Sequence, residues 1–255
     1  MQIDLVNRKS VFDANPVLAR ALYDWQQSAF DPAEDPYYAG QDVWDSGIDG
    51  PAVLTAEQAA EWNANFEAFC AEKTDSFDPV PPNLPKGAFC VAEFLSASFE
   101  EFVSSVAVPT GALFDLLGWD RVMMIGFTRT PYLDQDNDAA QVAAAENRLL
   151  ATGLTRDYSG AMSADPESAA KFLAEYFWIA RCNASAPYLW VSAPGASTLL
   201  MPCQYANYHV ETYTSGDARE IEAALQQAGF TLAPDGICEE RFSDSGAIAD
   251  RKLQI

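Results

Sequence analysis

The chemistry open to this chain is limited by its single histidine, His209, which lies in the segment QYANYHVETY. A Ser/His/Asp or Cys/His catalytic group would have to use this imidazole, with Cys203 or Cys182 as the conceivable nucleophile. Neither a GxSxG elbow nor a family-type cysteine signature accompanies it. If the segment is a strand, His209 shares a face with Asn207 and Glu211. We therefore predict a structural histidine in a sheet, because a catalytic assignment needs several convergent groups.

The cysteines are the other candidate metal ligands and nucleophiles. They are odd in number and widely spaced, at Cys70, Cys90, Cys182, Cys203 and Cys238. This pattern, without a CxxC motif, favours reduced, packed thiols over a disulfide framework. The sequence shows no Cys/His cluster, so a zinc site would need a ligand set dominated by cysteine or carboxylate. We predict no cofactor and no bound metal.

Three aspartates in the segment DQDND, Asp134, Asp136 and Asp138, resemble the first half of a calcium-binding loop. The second half does not follow, because Ala139 replaces the required glycine and Ala145 stands at the twelfth position. Acidic residues before AAQVAAAENRLLATG instead favour the start of a helix. A carboxylate-dependent or metal-assisted hydrolase remains the alternative function, since 37 acidic residues make some carboxylate pair inevitable.

Hydrophobic periodicity and capping signals predict the elements that must position these groups. Helices are expected at residues 15–29, 56–72, 138–152, 166–181 and 217–228, with shorter helical turns between 98 and 118. Strands are expected at residues 87–95, 121–128, 188–192, 199–214 and 230–233. We expect Pro109 to Gly111 to break the helical segment that begins after Ser98.

These elements, about seven helices and about five strands, show no regular alternation of strand and helix. The pattern predicts an α+β fold in which a mixed or antiparallel sheet packs with the helices. We expect one domain over residues 1–255. The alternative is a division into a helical, acidic-loop part (1–86) and a sheet-containing part (87–255).

The helix predicted at residues 56–72 is marked by a capping box between Thr55 and Gln58. Trp62, Phe66 and Phe69 recur at helical spacing and predict its apolar face. The segment before it, DPAEDPYYAGQDVWDSGIDGP, is too rich in proline and glycine for long regular elements. This segment is therefore predicted to be an acidic, aromatic loop.

Net charge excludes several classes of function. The chain carries 37 Asp and Glu against 15 Lys and Arg, a formal charge of -22. This excess opposes direct binding to nucleic acid phosphates or anionic lipids and favours a basic partner. The N-terminal sequence MQIDLVNRKSVFD lacks the apolar run of a secretory signal, and no segment is long enough to span a membrane. We therefore expect a cytoplasmic protein without membrane association.

The charge is distributed unevenly, because eleven acidic residues and no Lys or Arg lie between Ala21 and Glu72. Clustered acids beside aromatic side chains are typical of a surface that steers a basic partner and anchors it. The alternative is a solvated loop whose aromatic side chains pack into the core. We predict that the partner-binding residues are Asp31, Glu34, Asp35, Tyr37, Tyr38, Asp42, Trp44, Asp45 and Asp49.

In overall profile, the chain resembles bacterial immunity proteins that neutralise toxin nucleases. The resemblance rests on a compact, acidic, signal-free sequence with one histidine and on the stretch DPAEDPYYAGQDVWDSGID. It implies a cytoplasmic, non-enzymatic inhibitor that masks the active surface of a basic toxin. An acidic inhibitor can cover a groove built for phosphates and associate rapidly by electrostatic steering.

Overall fold

The computed structural model describes residues 1–30, 36–45, 50–213 and 217–242. Within these ranges the chain forms eight α-helices and ten β-strands. The helices are α1 (Arg8–Ala14), α2 (Pro16–Ala29), α3 (Ala56–Lys73), α4 (Phe99–Ser105), α5 (Ala107–Leu116), α6 (Ala140–Leu150), α7 (Pro166–Cys182) and α8 (Asp217–Ala228). The strands are β1 (Asp4–Val6), β2 (Asp42–Asp45), β3 (Gly50–Val53), β4 (Phe89–Glu93), β5 (Val122–Gly126), β6 (Ala161–Ala164), β7 (Leu189–Ser192), β8 (Thr198–Pro202), β9 (Asn207–Thr212) and β10 (Thr231–Leu232).

The main sheet has eight strands in the order β1-β6-β5-β7-β8-β9-β4-β10, and β2 pairs with β3 in a separate hairpin. Each neighbouring pair in the main sheet is antiparallel. The α+β class is confirmed, whereas the expected number of about five strands is too low. Strand β4 lies between β9 and β10, so these two strands run parallel and α8 crosses between them.

The two faces of the main sheet are covered by different helices. In β5, successive side chains point alternately to one face and to the other. Met123 and Ile125 face a cluster that includes residues of α1 and α2. Val122 and Met124 face the larger core, to which helices α4 to α8 contribute. All five residues of β5 are buried, as the uninterrupted apolar run predicted.

Local signals fix most of the helix ends. The Asn15 side chain accepts a hydrogen bond from the Leu18 N–H, and Pro16 begins α2. The predicted capping box of Thr55 and Gln58 is present at the start of α3. Helix α8 is followed by Gly229 at φ +100°, a conformation that side chains with a Cβ atom rarely adopt.

The predicted break at Pro109 to Gly111 is wrong, because α5 runs through these residues from Ala107 to Leu116. Pro109 lies in the first turn of α5, where a missing N–H leaves no helical hydrogen bond unmade. The interruption falls instead at Val106, between α4 and α5. The segment predicted to be an acidic, aromatic loop also differs, since it contains the short β2–β3 hairpin.

A buried ion pair fixes the end of α3 to the sheet. Arg8 contacts Asp75 through two hydrogen bonds, Nε to Oδ1 at 2.8 Å and a terminal nitrogen to Oδ2 at 2.6 Å. The same arginine donates to the Gly126 carbonyl at 2.9 Å. The Gln26 amide donates to Asp75 Oδ2 at 2.9 Å and to the Phe127 carbonyl at 2.8 Å. This network joins α1, α2 and β5 to the residues directly after α3.

The N-terminal strand belongs to the main sheet, because β1 pairs with β6. The alternative division of the chain after residue 86 stays a prediction. None of the helices in the described ranges has the length and apolar character needed to cross a membrane.

Candidate functional site

Helix α3 is unusually exposed for a helix of 18 residues, since Ala59 and Cys70 are its buried positions. Its exposed acidic side chains are Glu57, Glu61, Glu67 and Glu72. The helix ends at Lys73, whose ammonium group contacts Glu72 at 2.8 Å and lowers the pKa of that carboxyl. The remainder of the helix carries no Lys or Arg, so its field is negative.

The segment just before the β2–β3 hairpin is attached to this helix. The Tyr37 ring packs edge-on against Trp62 with centroids 5.1 Å apart. The Asn63 side chain accepts a hydrogen bond from the Tyr37 N–H at 2.8 Å and donates to the Tyr37 carbonyl at 2.9 Å. We call residues 36–45 and 50–73 together the acidic aromatic surface.

Two aromatic side chains on this surface point into solvent. Tyr38 is 64% exposed and Trp44 is 66% exposed. Large aromatic side chains normally bury most of their area, so this exposure makes the surface a candidate contact site. Asp42 is exposed on the same hairpin as Trp44.

The structure thus divides the predicted binding residues. Tyr38, Asp42 and Trp44 lie on the acidic aromatic surface and are exposed, whereas Tyr37 packs against Trp62. The backbone of Asp45 lies in β2, but its side chain falls outside the described residues. Four further predicted residues also lie outside them: Asp31, Glu34, Asp35 and Asp49.

Phe66 and Phe69 are surface residues that the sequence pattern did not predict. Their helical spacing predicted an apolar face, but both are exposed on α3, with Phe69 also lying 6.0 Å from the Phe30 ring. Helical spacing indicates which residues share a face, but it does not indicate whether another element covers that face. The glutamates interspersed with the phenylalanines were the available signal.

A second cluster of potentially reactive side chains lies beside strands β8 and β9 of the main sheet. Cys203, His209 and Cys238 place one donor atom each within 4.8 Å of one another. The two sulfur atoms are 3.5 Å apart. We call these three residues the thiol–imidazole cluster. Cys203 follows β8, His209 lies on β9 and Cys238 follows the 3-10 turn Pro234–Gly236.

Hydrogen bonds polarise the two thiols of this cluster. Contacts with Cys203 and Asn207, together with the nearby His209, lower the pKa of the Cys238 thiol to about 5, although burial acts in the opposite direction. The contact with Cys238 raises the pKa of Cys203, and burial adds to the rise. The short contact between the two sulfurs therefore links the ionisation of one thiol to that of the other.

The expectation that the chain has no Cys/His cluster is wrong. The three residues are separated in sequence, and helix α8 and strand β10 lie between His209 and Cys238. They meet because the 3-10 turn after β10 brings the chain back beside β4, where Gly236 lies against the Phe89 ring. His209 does lie in a strand, as predicted, but its Nε2 atom is buried and has no hydrogen-bond partner.

The aspartates of the DQDND segment have a different environment. Asp136 lies 3.3 Å from a terminal nitrogen of Arg156, and the same guanidinium group pairs with Glu146. Helix α6 begins after Ala139, close to the predicted start, but no side chain caps it. The Asp136 side chain is 93% exposed, so this ion pair contributes little to stability.

A comparison with known proteins adds no functional assignment. No family model, curated protein or solved structure matches this chain significantly.

Proposed function

We propose that the chain is a non-enzymatic binding protein that neutralises a basic protein partner, as a bacterial immunity protein neutralises a nuclease-type toxin. The supporting observation is the exposure of Tyr38 and Trp44 beside an acidic helix within a stretch devoid of Lys and Arg. The proposed compartment is the cytoplasm, where the cysteine thiols would stay reduced.

The aromatic side chains are proposed as anchors. Tyr and Trp are enriched among residues that dominate binding energy, because they bury a large area at a low cost in side-chain entropy. Tyr38 lies just before the hairpin and Trp44 lies within it, and Tyr37 and Asn63 hold this region on α3. The anchors would therefore be presented by an ordered support, which reduces the entropic cost of binding.

The acidic side chains are proposed to steer the partner. Physiological salt screens charges beyond about 8 Å, so only acids close to one another act as a group. Glu57 and Glu61 are one helical turn apart on α3. This separation is shorter than the screening length, so their fields add. A nuclease groove shaped for phosphates carries the complementary positive charge, so occupation of that groove would block its substrate.

The proposal is tested by comparing what matched variants capture from lysate of the native host. We expect the unchanged protein and Val108→Ser, a change at an exposed aliphatic residue of α5, to retain the same basic protein in a 1:1 ratio. Tyr38→Ala/Trp44→Ala should fail to retain this partner, since the loss of each anchor is expected to weaken binding by about 30-fold or more. Equal recovery by all three proteins, or recovery of an acidic partner, would contradict the proposal.

Steering is tested separately by measuring association rates with the captured partner at several salt concentrations. The triple variant Glu57→Gln/Glu61→Gln/Glu67→Gln should associate about 10-fold more slowly at low salt and show a flatter salt dependence. A matched triple, Asp115→Asn/Asp120→Asn/Glu220→Gln, removes the same charge from exposed positions elsewhere. The steering role would be refuted if both triples slowed association equally.

A further inference from the structure

The thiol–imidazole cluster has the donor atoms of a transition-metal site. Two thiols and one imidazole, contributed by three separate segments, lie within 4.8 Å of one another. Thiolate and imidazole are the ligands that zinc prefers, whereas calcium and magnesium require oxygen. The fold therefore assembles a soft ligand set that does not occur as a short sequence motif.

The distance between the two sulfur atoms suits a shared metal ion. Two sulfurs bound to one tetrahedral zinc at about 2.3 Å are about 3.8 Å apart. Cys203 Sγ and Cys238 Sγ are 3.5 Å apart. This separation is close to the edge of a zinc tetrahedron and well beyond the length of a disulfide bond, about 2.05 Å.

Neighbouring N–H groups are directed at both sulfurs. The Tyr205 N–H donates to Cys203 Sγ at 3.4 Å, and the Asn207 amide donates to Cys238 Sγ at 3.3 Å. Ala206 has φ 62°, and its N–H donates to the Cys203 carbonyl at 3.1 Å, which closes the turn that presents the Tyr205 N–H. Such contacts orient metal ligands and stabilise the thiolate form that binds metal.

The polar atoms around the cluster support a ligand more directly. His209 Nε2 and Asn207 Oδ1 are both buried and have no hydrogen-bond partner. Buried polar atoms without partners are uncommon because they lose hydration without replacement. A metal ion would give the imidazole a partner, and a metal-bound water could donate to the Asn207 oxygen.

We infer that Cys203, His209 and Cys238 bind one Zn²⁺ ion. These residues supply three protein ligands, so the fourth position of a tetrahedral ion is available to water or to another donor. Asn207 is a positioning residue that holds the Cys238 sulfur. The site is independent of the acidic aromatic surface and of the partner proposed for it.

Metal binding would attach the C-terminal part of the chain to the sheet. Cys203 and His209 lie on or beside adjacent strands, whereas Cys238 belongs to the segment that follows the 3-10 turn. We therefore expect Zn²⁺ to slow hydrogen exchange in residues 234–242 more than in helix α6, which contributes no ligand.

The test uses the full chain, purified with a thiol reductant, stripped with chelator and titrated with Co²⁺ and then Zn²⁺. We expect one equivalent of Co²⁺ to produce the visible absorption of a tetrahedral, thiolate-bound ion, and Zn²⁺ to displace it with a Kd below about 1 µM. Cys238→Ser and His209→Ala should each weaken Zn²⁺ binding by about 100-fold, and Asn207→Ala by about 10-fold.

Cys90→Ser is the matched control, because Cys90 lies on the neighbouring strand opposite Val210 and not opposite His209. It should bind both metals as the unchanged protein does. The inference is overturned if the reduced protein gives no thiolate–cobalt absorption, or if Cys238→Ser retains it. It is also overturned if Cys203 and Cys238 form a disulfide whose reduction restores no metal binding.

Discussion

The buried ion pair between Arg8 and Asp75 makes the clearest prediction about stability. Both side chains are less than one tenth exposed, and the guanidinium group and the carboxylate face each other through two hydrogen bonds. Arg8→Met keeps most of the length of the side chain but removes its charge. Asp75 would then remain buried with the Gln26 amide as its remaining side-chain partner.

The expected loss of stability in Arg8→Met follows from this geometry. Removing one partner of a buried ion pair costs about 3–5 kcal/mol, because the other charge is left without compensation. Unfolding entropy of about 2.1 cal/mol/K per residue gives about 0.5 kcal/mol/K for a chain of this length. We therefore expect Arg8→Met to lower Tm by about 6–9 °C, and urea unfolding to show the corresponding fall in the free energy of unfolding.

The neighbouring residue provides the control. Lys9 forms an ion pair with Asp13 in which both side chains are about two thirds exposed, so Lys9→Met should cost less than about 1 kcal/mol. The double variant Arg8→Met/Asp75→Asn removes both buried charges and should recover part of the loss. Equal losses for Arg8→Met and Lys9→Met, or no recovery in the double variant, would refute the reasoning.

Three further predictions concern single side chains. Burial raises the pKa of Tyr132 to about 12, so the stability that depends on its protonated form should be present below pH 10 and be lost as the pH rises towards 12. Above pH 10 the free energy of unfolding should therefore fall less steeply with pH for Tyr132→Phe than for the unchanged protein, and parallel curves for the two proteins would contradict this. Tyr208→Phe leaves the buried Thr110 hydroxyl without its partner at 3.1 Å, and calorimetry should show a loss of about 1–2 kcal/mol that Tyr38→Phe does not share. Thr55→Ala removes the cap of α3 and should cost about 1 kcal/mol in urea unfolding; no measurable loss would contradict the capping role.

The sequence predicted best those features that local chemistry determines. Asn15 and Pro16 mark the start of α2, and Gly229 marks the end of α8, because caps depend on residues within one turn of the helix end. Strand β6, with the sequence AMSA, lacks the β-branched residues and the alternation that predict a strand. It forms because β1 and β5 pair with it on either side.

The candidate sites divide in the same way. The acidic aromatic surface could be predicted because charge and aromatic content are properties of one continuous stretch of sequence. The exposure of Phe66 could not, since it depends on whether another element covers α3. The thiol–imidazole cluster was missed because Cys238 reaches His209 only through the crossover of α8 and the turn after β10.

The lengths of the two outermost strands bear on how the molecule behaves when it is concentrated. An eight-stranded antiparallel sheet exposes unpaired N–H and C=O groups along both borders, and long borders promote aggregation by strand addition. Here one border is β1, with three residues, and the other is β10, with two. Asp4 adds a charge to the first border, where it pairs with Arg121. Each border strand is thus short, which disfavours the addition of a strand from another molecule to this sheet.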